Sequence, residues 1–427
     1  MHLSFFGYGK TTRAIAARFG GGFDFYDDRC EKPYVDEAGN RIHPSRDFAP
    51  EQSALEILTP SIRPDSPLLA KARNPISEYD LFLSRKWIET LSEEQRRHLP
   101  SSIFNLLPKT PPRTVWISGT NGKTTTTQML TWLLEPHGAL SGGNIGTPLA
   151  DLDPEAPLWI LETSSYTLHH TRYASPDLYL LLPITPDHID WHGSPEAYTA
   201  DKLAPLRTMR EGELALIPAG LPRPSSAAWV VEYDSNAYLE SFFDLDASRL
   251  RYRAGFLQDA LLALAVSRTL FDEADYDQLD AFRLDRHRQE EILDARGRLW
   301  VNDSKATNLD AALQALEAYA DRPIHLIAGG DDKGVDMTPL IRCLARLDAK
   351  LYTIGSNNRR LSQLARDYGV PVQSFTHLDE ALQAVDRALK PSEVALLSPA
   401  AASLDQFPSY AHRGDALVDY VKKIEID

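Results

Sequence analysis

The stretch RTVWISGTNGKTTTT, Arg113–Thr127, decides the fold: an apolar, β-rich run ends in a tight glycine turn, and a lysine, hydroxyls and a helical segment follow. Each part has a phosphate-binding reason. Gly119 and Gly122 let backbone N–H groups approach an anion, Lys123 adds a mobile positive charge, and Thr124 offers a hydroxyl to Mg²⁺. The helix behind the turn aims its unsatisfied N–H groups and the positive end of its dipole at the phosphates. Ile117 stands where the general phosphate-loop pattern has its first glycine, so GTNGKT is a shorter and more particular string. A strand before it and a helix after it set it apart from a surface turn that merely contains Gly-Lys-Thr.

Size and composition bound what surrounds this loop. A chain of 427 residues is expected to form two to four domains, since single cores stop growing near ~250–300 residues. Hydrophobic content of 43% and charged content of 25% are those of an ordinary globular protein. The net charge of −15 speaks against broad electrostatic binding to nucleic acid or to an anionic membrane. No uninterrupted apolar run approaches the ~18 residues of a membrane span. The start, MHLSFFGYGK, lacks a basic leader and reads as a first strand. Cys30 and Cys343 are the only cysteines, too few for a disulfide framework or a cysteine zinc site, and the chain is expected in the cytoplasm.

Three segments separate along the chain: an α/β arrangement of residues 1–85, 86–284 and 285–427. The first opens with strand HLSFF, the turn GYGKTT, an Ala-rich helix and a second strand, Phe23 to Tyr26, that runs into Asp27-Asp28-Arg29. This is the dinucleotide-fold order, although GxG without its third glycine is a weak fingerprint. A run from Ala54 to Leu58 ends in Thr59-Pro60-Ser61. In the second segment, apolar runs at Leu158–Leu161, Leu178–Leu182, Leu214–Ile217 and Trp229–Val231 are continuous rather than alternating, as in a sheet buried on both faces. The third alternates strands (299–302, 324–328, 350–354, 394–397) with helical patterns, the first showing Leu309, Leu313, Leu316 and Ala320 on one face. Alternation of that kind implies a parallel sheet with right-handed crossovers. The Pro-rich stretches around 108–112 and 218–224 read as a linker and a loop.

Gly-Lys-Thr occurs twice, at 9–11 and 122–124. The second has the better partner, because Glu162 closes a strand at the place where α/β nucleotidases hold Mg²⁺ with an acid. The first is followed by Asp27 and Asp28, which suits a ribose or a nucleotide head, although a plain helix-start turn remains an alternative. In PITPDHIDWHGS (183–194), Asp187, His188, Asp190 and His192 lie just past a buried strand, on the ligand-binding edge. A neutral histidine there can bind a metal or donate to phosphate; turn chemistry is the plainer reading. Lys202 by its spacing is an ordinary surface lysine. In the third segment, Lys305, Lys333 and Ser403 sit on strand-to-loop junctions and together suit a dicarboxylate; alternatively Ser403 caps a helix and the lysines are solvated.

Taken together, GTNGKTT (119–125), GGNIG (142–146), LETSSY (161–166), DHID (187–190), HRQE (287–290), NDSKATN (302–308) and SPAAASLDQF (398–407) resemble the Mur ligase family of ATP-dependent amide-forming enzymes of bacterial cell-wall synthesis. The resemblance implies three domains: a small Rossmann-like N-terminal domain, a central P-loop-type ATPase domain and a C-terminal Rossmann-like domain. The last two motifs look like the member that adds D-glutamate to UDP-N-acetylmuramoyl-L-alanine. Position by position, the resemblance gives Lys10, Thr11, Asp27 and Arg29 to the uridine diphosphate head and Asn144 and Ser164 to the muramyl-alanine end. Gly119, Thr120, Asn121, Gly122, Lys123, Thr124, Thr125 and Glu162 would hold ATP and a first Mg²⁺. His188 and Lys202 would serve a second Mg²⁺, with Lys202 carbamylated, which inverts its reading as a surface lysine. Arg288, Asp303 and Lys305 would contact ATP, and Thr307, Lys333, Ser403 and Tyr410 would bind D-glutamate.

The family's His-Asn-x-x-Asn is absent; RAGFLQDALLAL stands there, with Asp259 at the second Asn, which leaves the adenine contact unassigned. The resemblance implies an acyl-phosphate mechanism, and the chain is expected to be a monomer. A folylpolyglutamate synthetase-like ligase and a non-catalytic nucleotide-binding regulator are the alternatives. Retention of Lys123, Glu162, His188 and Lys202 weighs against the latter.

Overall fold

A computed structural model describes residues 1–108 and 110–424; Lys109, within the stretch read as a linker, lies outside the described residues. Three six-stranded sheets are built in chain order. The first contains β1 (His2–Phe6), β2 (Asp24–Asp27), β3 (Tyr34–Val35), β4 (Arg41–Pro44), β5 (Ser53–Leu58) and β6 (Pro75–Ile76), in the order β3-β4-β2-β1-β5-β6. The second contains β7 (Arg113–Ser118), β8 (Ala139–Gly143), β9 (Leu158–Glu162), β10 (Leu178–Leu181), β11 (Leu214–Pro218) and β12 (Trp229–Tyr233), ordered β12-β11-β10-β7-β9-β8 and parallel throughout. The third contains β13 (Glu290–Leu293), β14 (Leu299–Asn302), β15 (Ile324–Gly329), β16 (Ala349–Ile354), β17 (Val372–Ser374) and β18 (Val394–Leu397), ordered β13-β14-β18-β15-β16-β17, with only β13 antiparallel.

The chain divides into two compact units, Met1–Leu250 with Asp259–Asp280, and Arg251–Gln258 with Ala281–Asp427. The first unit carries the first two sheets, and one apolar core runs from Phe5, Phe25 and Ile57 through Tyr79, Phe82 and Trp87 to Trp116, Trp159 and Tyr179. Strands β9, β10, β15 and β18 are buried along their whole length, as continuous apolar runs require when helices cover both faces. In the second sheet the chain leaves β7 for β8 on one side and later reaches β10 on the other. The crevice at the carboxyl ends of β7, β9 and β10 is therefore a topological switch point, where open α/β sheets bind ligands.

One sequence-based expectation needs correction here. The helix Leu309–Ala318 buries Ala312, Ala315, Leu316 and Ala318, while Leu309 and Leu313 are only partly buried. Ala320 lies past its end and is exposed. Small residues let this helix pack closely, so the inward face carries more alanine than leucine. The helix Ala254–Phe271 is long and apolar enough to cross a membrane by length and composition, although half of it is buried in protein. Asp259 interrupts its apolar run.

The helix Glu78–Leu83 is buried at every residue. Glu78 Oε1 accepts the N–H of Leu149 (2.7 Å) and Ala150 (3.4 Å), and so pins the loop that follows GGNIG. Burial pushes the Glu78 carboxyl up to about 8 despite those donors. A folded-state value above the unfolded one gives stability that is complete below the unfolded value and is lost as pH rises to about 8. Glu78→Gln is expected to flatten that decline, read as denaturant midpoints across this pH range. Parallel slopes for the two proteins would exclude Glu78 as its source.

Candidate active site

β7 is buried from Thr114 to Ser118 and delivers the phosphate loop at the switch point. Gly119 has φ 152°, and a Cβ there would lie 2.5 Å from Leu182 Cβ; Gly122, at φ 80°, starts the helix Lys123–Leu133. Both positions therefore require glycine. Lys123 Nζ donates to the carbonyls of Gly119 (2.9 Å) and Thr120 (2.7 Å), so the cation is held over the loop. Thr120 Oγ1 donates to Thr185 O at 2.9 Å and meets Tyr198 Oη at 3.1 Å. The Thr125 hydroxyl is buried without a protein partner. Asp259 packs beneath the loop: Thr126 Oγ1 donates to its Oδ1 at 3.0 Å, and a Cβ at Gly122 would come within 2.6 Å of the same oxygen. Where the family pattern has its second asparagine, the carboxylate here braces the phosphate loop.

Glu162 ends β9, level with Ile117 of β7 and Gly143 of β8, and is 2% exposed. Asn144 Nδ2 donates to its Oε1 at 2.5 Å, whereas Oε2 is buried with no partner. A buried carboxylate oxygen without a donor costs about 1–3 kcal/mol or more. A hard divalent cation is the partner that fits such an oxygen, so the residues present suit Mg²⁺. Ser164, next on this segment, caps the helix Ser165–His170 by accepting the N–H of Thr167.

His188 sits in the left-handed region at φ 51° and packs against the Tyr166 ring. Burial, aided by the Lys123 charge, lowers its pKa against the opposing charge of Asp187, so the ring is neutral and able to ligate. Lys202 ends the helix Pro195–Lys202 and is 1% exposed, which overturns the surface reading. Its Nζ donates to Gly119 O (2.7 Å) and Ser118 Oγ (3.3 Å), the first shared with Lys123. Burial, with the Lys123 charge second, holds Lys202 well below the usual lysine range. Spacing could not show this, because the burial comes from helix packing.

In the first sheet, the turn after β1 starts the helix Lys10–Arg18 at Lys10 and Thr11. Asp27 at the end of β2 accepts the N–H of Tyr8 (2.6 Å) and of Arg29 (2.8 Å), while Lys10 Nζ donates to Gly146 O of the GGNIG loop. The first Gly-Lys-Thr thus lies beside the loop that carries Asn144.

The second unit gathers the remaining candidates at the carboxyl ends of β14, β15 and β18. Asp303 is buried, accepts Ser398 Oγ–H at 2.7 Å, and is pushed up to about 7 by burial. Lys305 Nζ donates to Tyr410 Oη at 2.8 Å. Thr307 and Lys333 are exposed, the latter at φ 53°. Arg288 lines a cavity of about 410 Å³ with Arg251, Arg253 and Tyr319. Ser403 is buried in a turn and caps no helix; Ser409 is the cap of the helix Tyr410–Val421. Arg413, which no sequence pattern marked, is buried and joins the NDSKATN and SPAAAS loops through Ser304 Oγ (2.9 Å), Ser304 O (3.0 Å) and Ala401 O (3.1 Å).

The chain is similar to known proteins in sequence and in fold. The Mur ligase middle domain model matches residues 117–238, and the Mur ligase glutamate ligase domain model matches residues 287–401. The UDP-N-acetylmuramoylalanine--D-glutamate ligase of Campylobacter jejuni is 43% identical over 99% of this chain and 100% of its own length. The Helicobacter pylori enzyme of the same name is 40% identical with the same coverage. The fold is like that of MurF ligase from Thermotoga maritima in complex with ADP, with a TM-score of 0.56, 16% identity, and coverage of 87% of this chain and 88% of that one. The chain belongs to the Mur ligase family.

Proposed function

We propose that the chain is an ATP-dependent ligase that forms an amide between D-glutamate and the alanyl carboxylate of UDP-N-acetylmuramoyl-L-alanine, as a cytoplasmic monomer in peptidoglycan precursor synthesis. The observation that carries the chemistry is Glu162, its Oε2 buried and partnerless, beside a phosphate loop whose Gly119 carbonyl binds both Lys123 and Lys202. The names of relatives 40–43% identical over their full length support the choice of substrates.

A carboxylate is a poor electrophile, so amide formation in water needs activation. The γ-phosphoryl group of ATP passes to an alanyl carboxylate oxygen, giving an acyl phosphate and ADP. The D-glutamate amine then attacks the acyl carbon; the C–N bond forms, the C–O bond to phosphate breaks, and the nitrogen loses a proton. Lys123 draws its charge from the loop carbonyls onto the phosphoryl oxygens during transfer. Thr124, Glu162, His188 and Lys202 would hold Mg²⁺, which supplies charge neutralisation at the phosphates. Lys202 would do so as a carbamate: its uncharged amine attacks CO₂, loses a proton and becomes an anion.

Lys10, Thr11, Asp27 and Arg29 take the uridine diphosphate, and Asn144 and Ser164 the muramyl-alanine end. Arg288, Asp303 and Lys305 take ATP; Thr307, Lys333, Ser403 and Tyr410 take D-glutamate. The division near residues 85 and 284 follows this sharing of substrates. Phosphate release with ATP and Mg²⁺ is expected only when UDP-N-acetylmuramoyl-L-alanine and D-glutamate are both present. Equal release with L-glutamate, or release without the nucleotide substrate, would refute the assignment.

A further inference from the structure

Three separate segments carry Glu162, His188 and Lys202, and each supplies one member of a second hydrogen-bonded row. Ser165 follows Glu162 on its segment, His192 follows His188, and Asp201 immediately precedes Lys202. Asp201 Oδ2 lies 2.7 Å from His192 Nδ1, and His192 Nε2 lies 3.0 Å from Ser165 Oγ. A carboxylate only accepts, so the neutral ring carries its proton on Nδ1, donates it to Asp201, and accepts the Ser165 hydroxyl at Nε2. His169 Nδ1–H donates to the same carboxylate at 2.9 Å. The His192 side chain is 0% exposed, and Tyr166 stacks on it with ring centroids 5.6 Å apart. Ser165 is itself 4% exposed, so the row is a strut rather than a nucleophile with its base.

We propose that Ser165, His192 and Asp201 form a strut that holds Glu162, His188 and Lys202 in register for the metal, with His192 and Asp201 as positioning residues. Ligands must be held to about 0.5 Å by groups whose own rotamers are fixed. His188 occupies a left-handed backbone position and leads into the single-turn helix Ile189–His192. A turn that short is not stable alone. Its far end is anchored by the two bonds of His192, and Asp201 fixes the last turn of the helix that points Lys202 at Gly119.

This inference rests on the reading of Glu162, His188 and Lys202 as metal holders, and the test separates the two. Mn²⁺ binding to the full chain in bicarbonate buffer is read by electron paramagnetic resonance, for the wild type and for Glu162→Gln, Asp201→Asn and His192→Phe. His192→Phe keeps the ring volume and stacking while removing both bonds, so it carries the test even if Asp201→Asn fails to fold. Both strut variants are expected to weaken Mn²⁺ by about 10–100-fold. They should lower kcat and leave KM for the UDP-substrate unchanged. Wild-type Mn²⁺ affinity in His192→Phe, with binding lost in Glu162→Gln, would overturn the strut alone. Wild-type affinity in Glu162→Gln would overturn the metal site and the strut together.

Discussion

Lys123→Ala is expected to lower ATP-dependent phosphate release by about 10²–10³-fold or more, the cost of removing one preorganised charge from a developing transition state. Binding of the UDP-substrate should be nearly unchanged. The reason is spatial. Lys123 Nζ is held by the Gly119 and Thr120 carbonyls of the second sheet. Lys10, Asp27 and Arg29 lie instead on the turns after β1 and β2 of the first sheet. Two neutral carbonyls hold an ammonium less strongly than phosphoryl oxygens, so the side chain is poised to exchange one for the other. Calorimetry with the UDP-substrate alone, beside a phosphate-release assay, separates the two sites. Loss of both in a folded variant would mean that the phosphate loop and the turns that take the uridine diphosphate do not act separately.

Lys202→Ala is expected to lower turnover by about 10²-fold or more, comparable to losing an electrostatic contact made in the transition state. Acetate or propionate should restore part of it. An ordinary buried lysine would not respond to added carboxylate, whereas a carbamate lost on mutation leaves a space that a small acid can fill. The amine is suited to this chemistry because burial, with Lys123 adding to it, keeps it well below the usual lysine range. Turnover near wild type, or a loss that no small acid restores, would remove the carbamate from the mechanism.

The phosphate loop was legible in Arg113–Thr127 because its chemistry is local: backbone N–H groups, two glycines and a lysine act within one turn. The buried strands β9, β10, β15 and β18 were legible because burial on both faces leaves continuous apolar runs. Strands β8 and β13 gave no such sign. β8 is ALSGG, and β13 alternates half-buried and exposed residues on an antiparallel edge, so both exist through pairing with neighbours.

The metal-site candidates divide in the same way. Glu162 was readable from its place at a strand end. The burial of Lys202, the row Asp201–His192–Ser165, the brace from Asp259 to Thr126 and the buried Arg413 were not. Each joins residues far apart in the chain, between groups that are ordinary surface types until helices pack. Local pattern determined where phosphate can bind; only the packing of separate segments decided which lysine loses its water, which carboxylate oxygen is left without a donor, and what holds them in place.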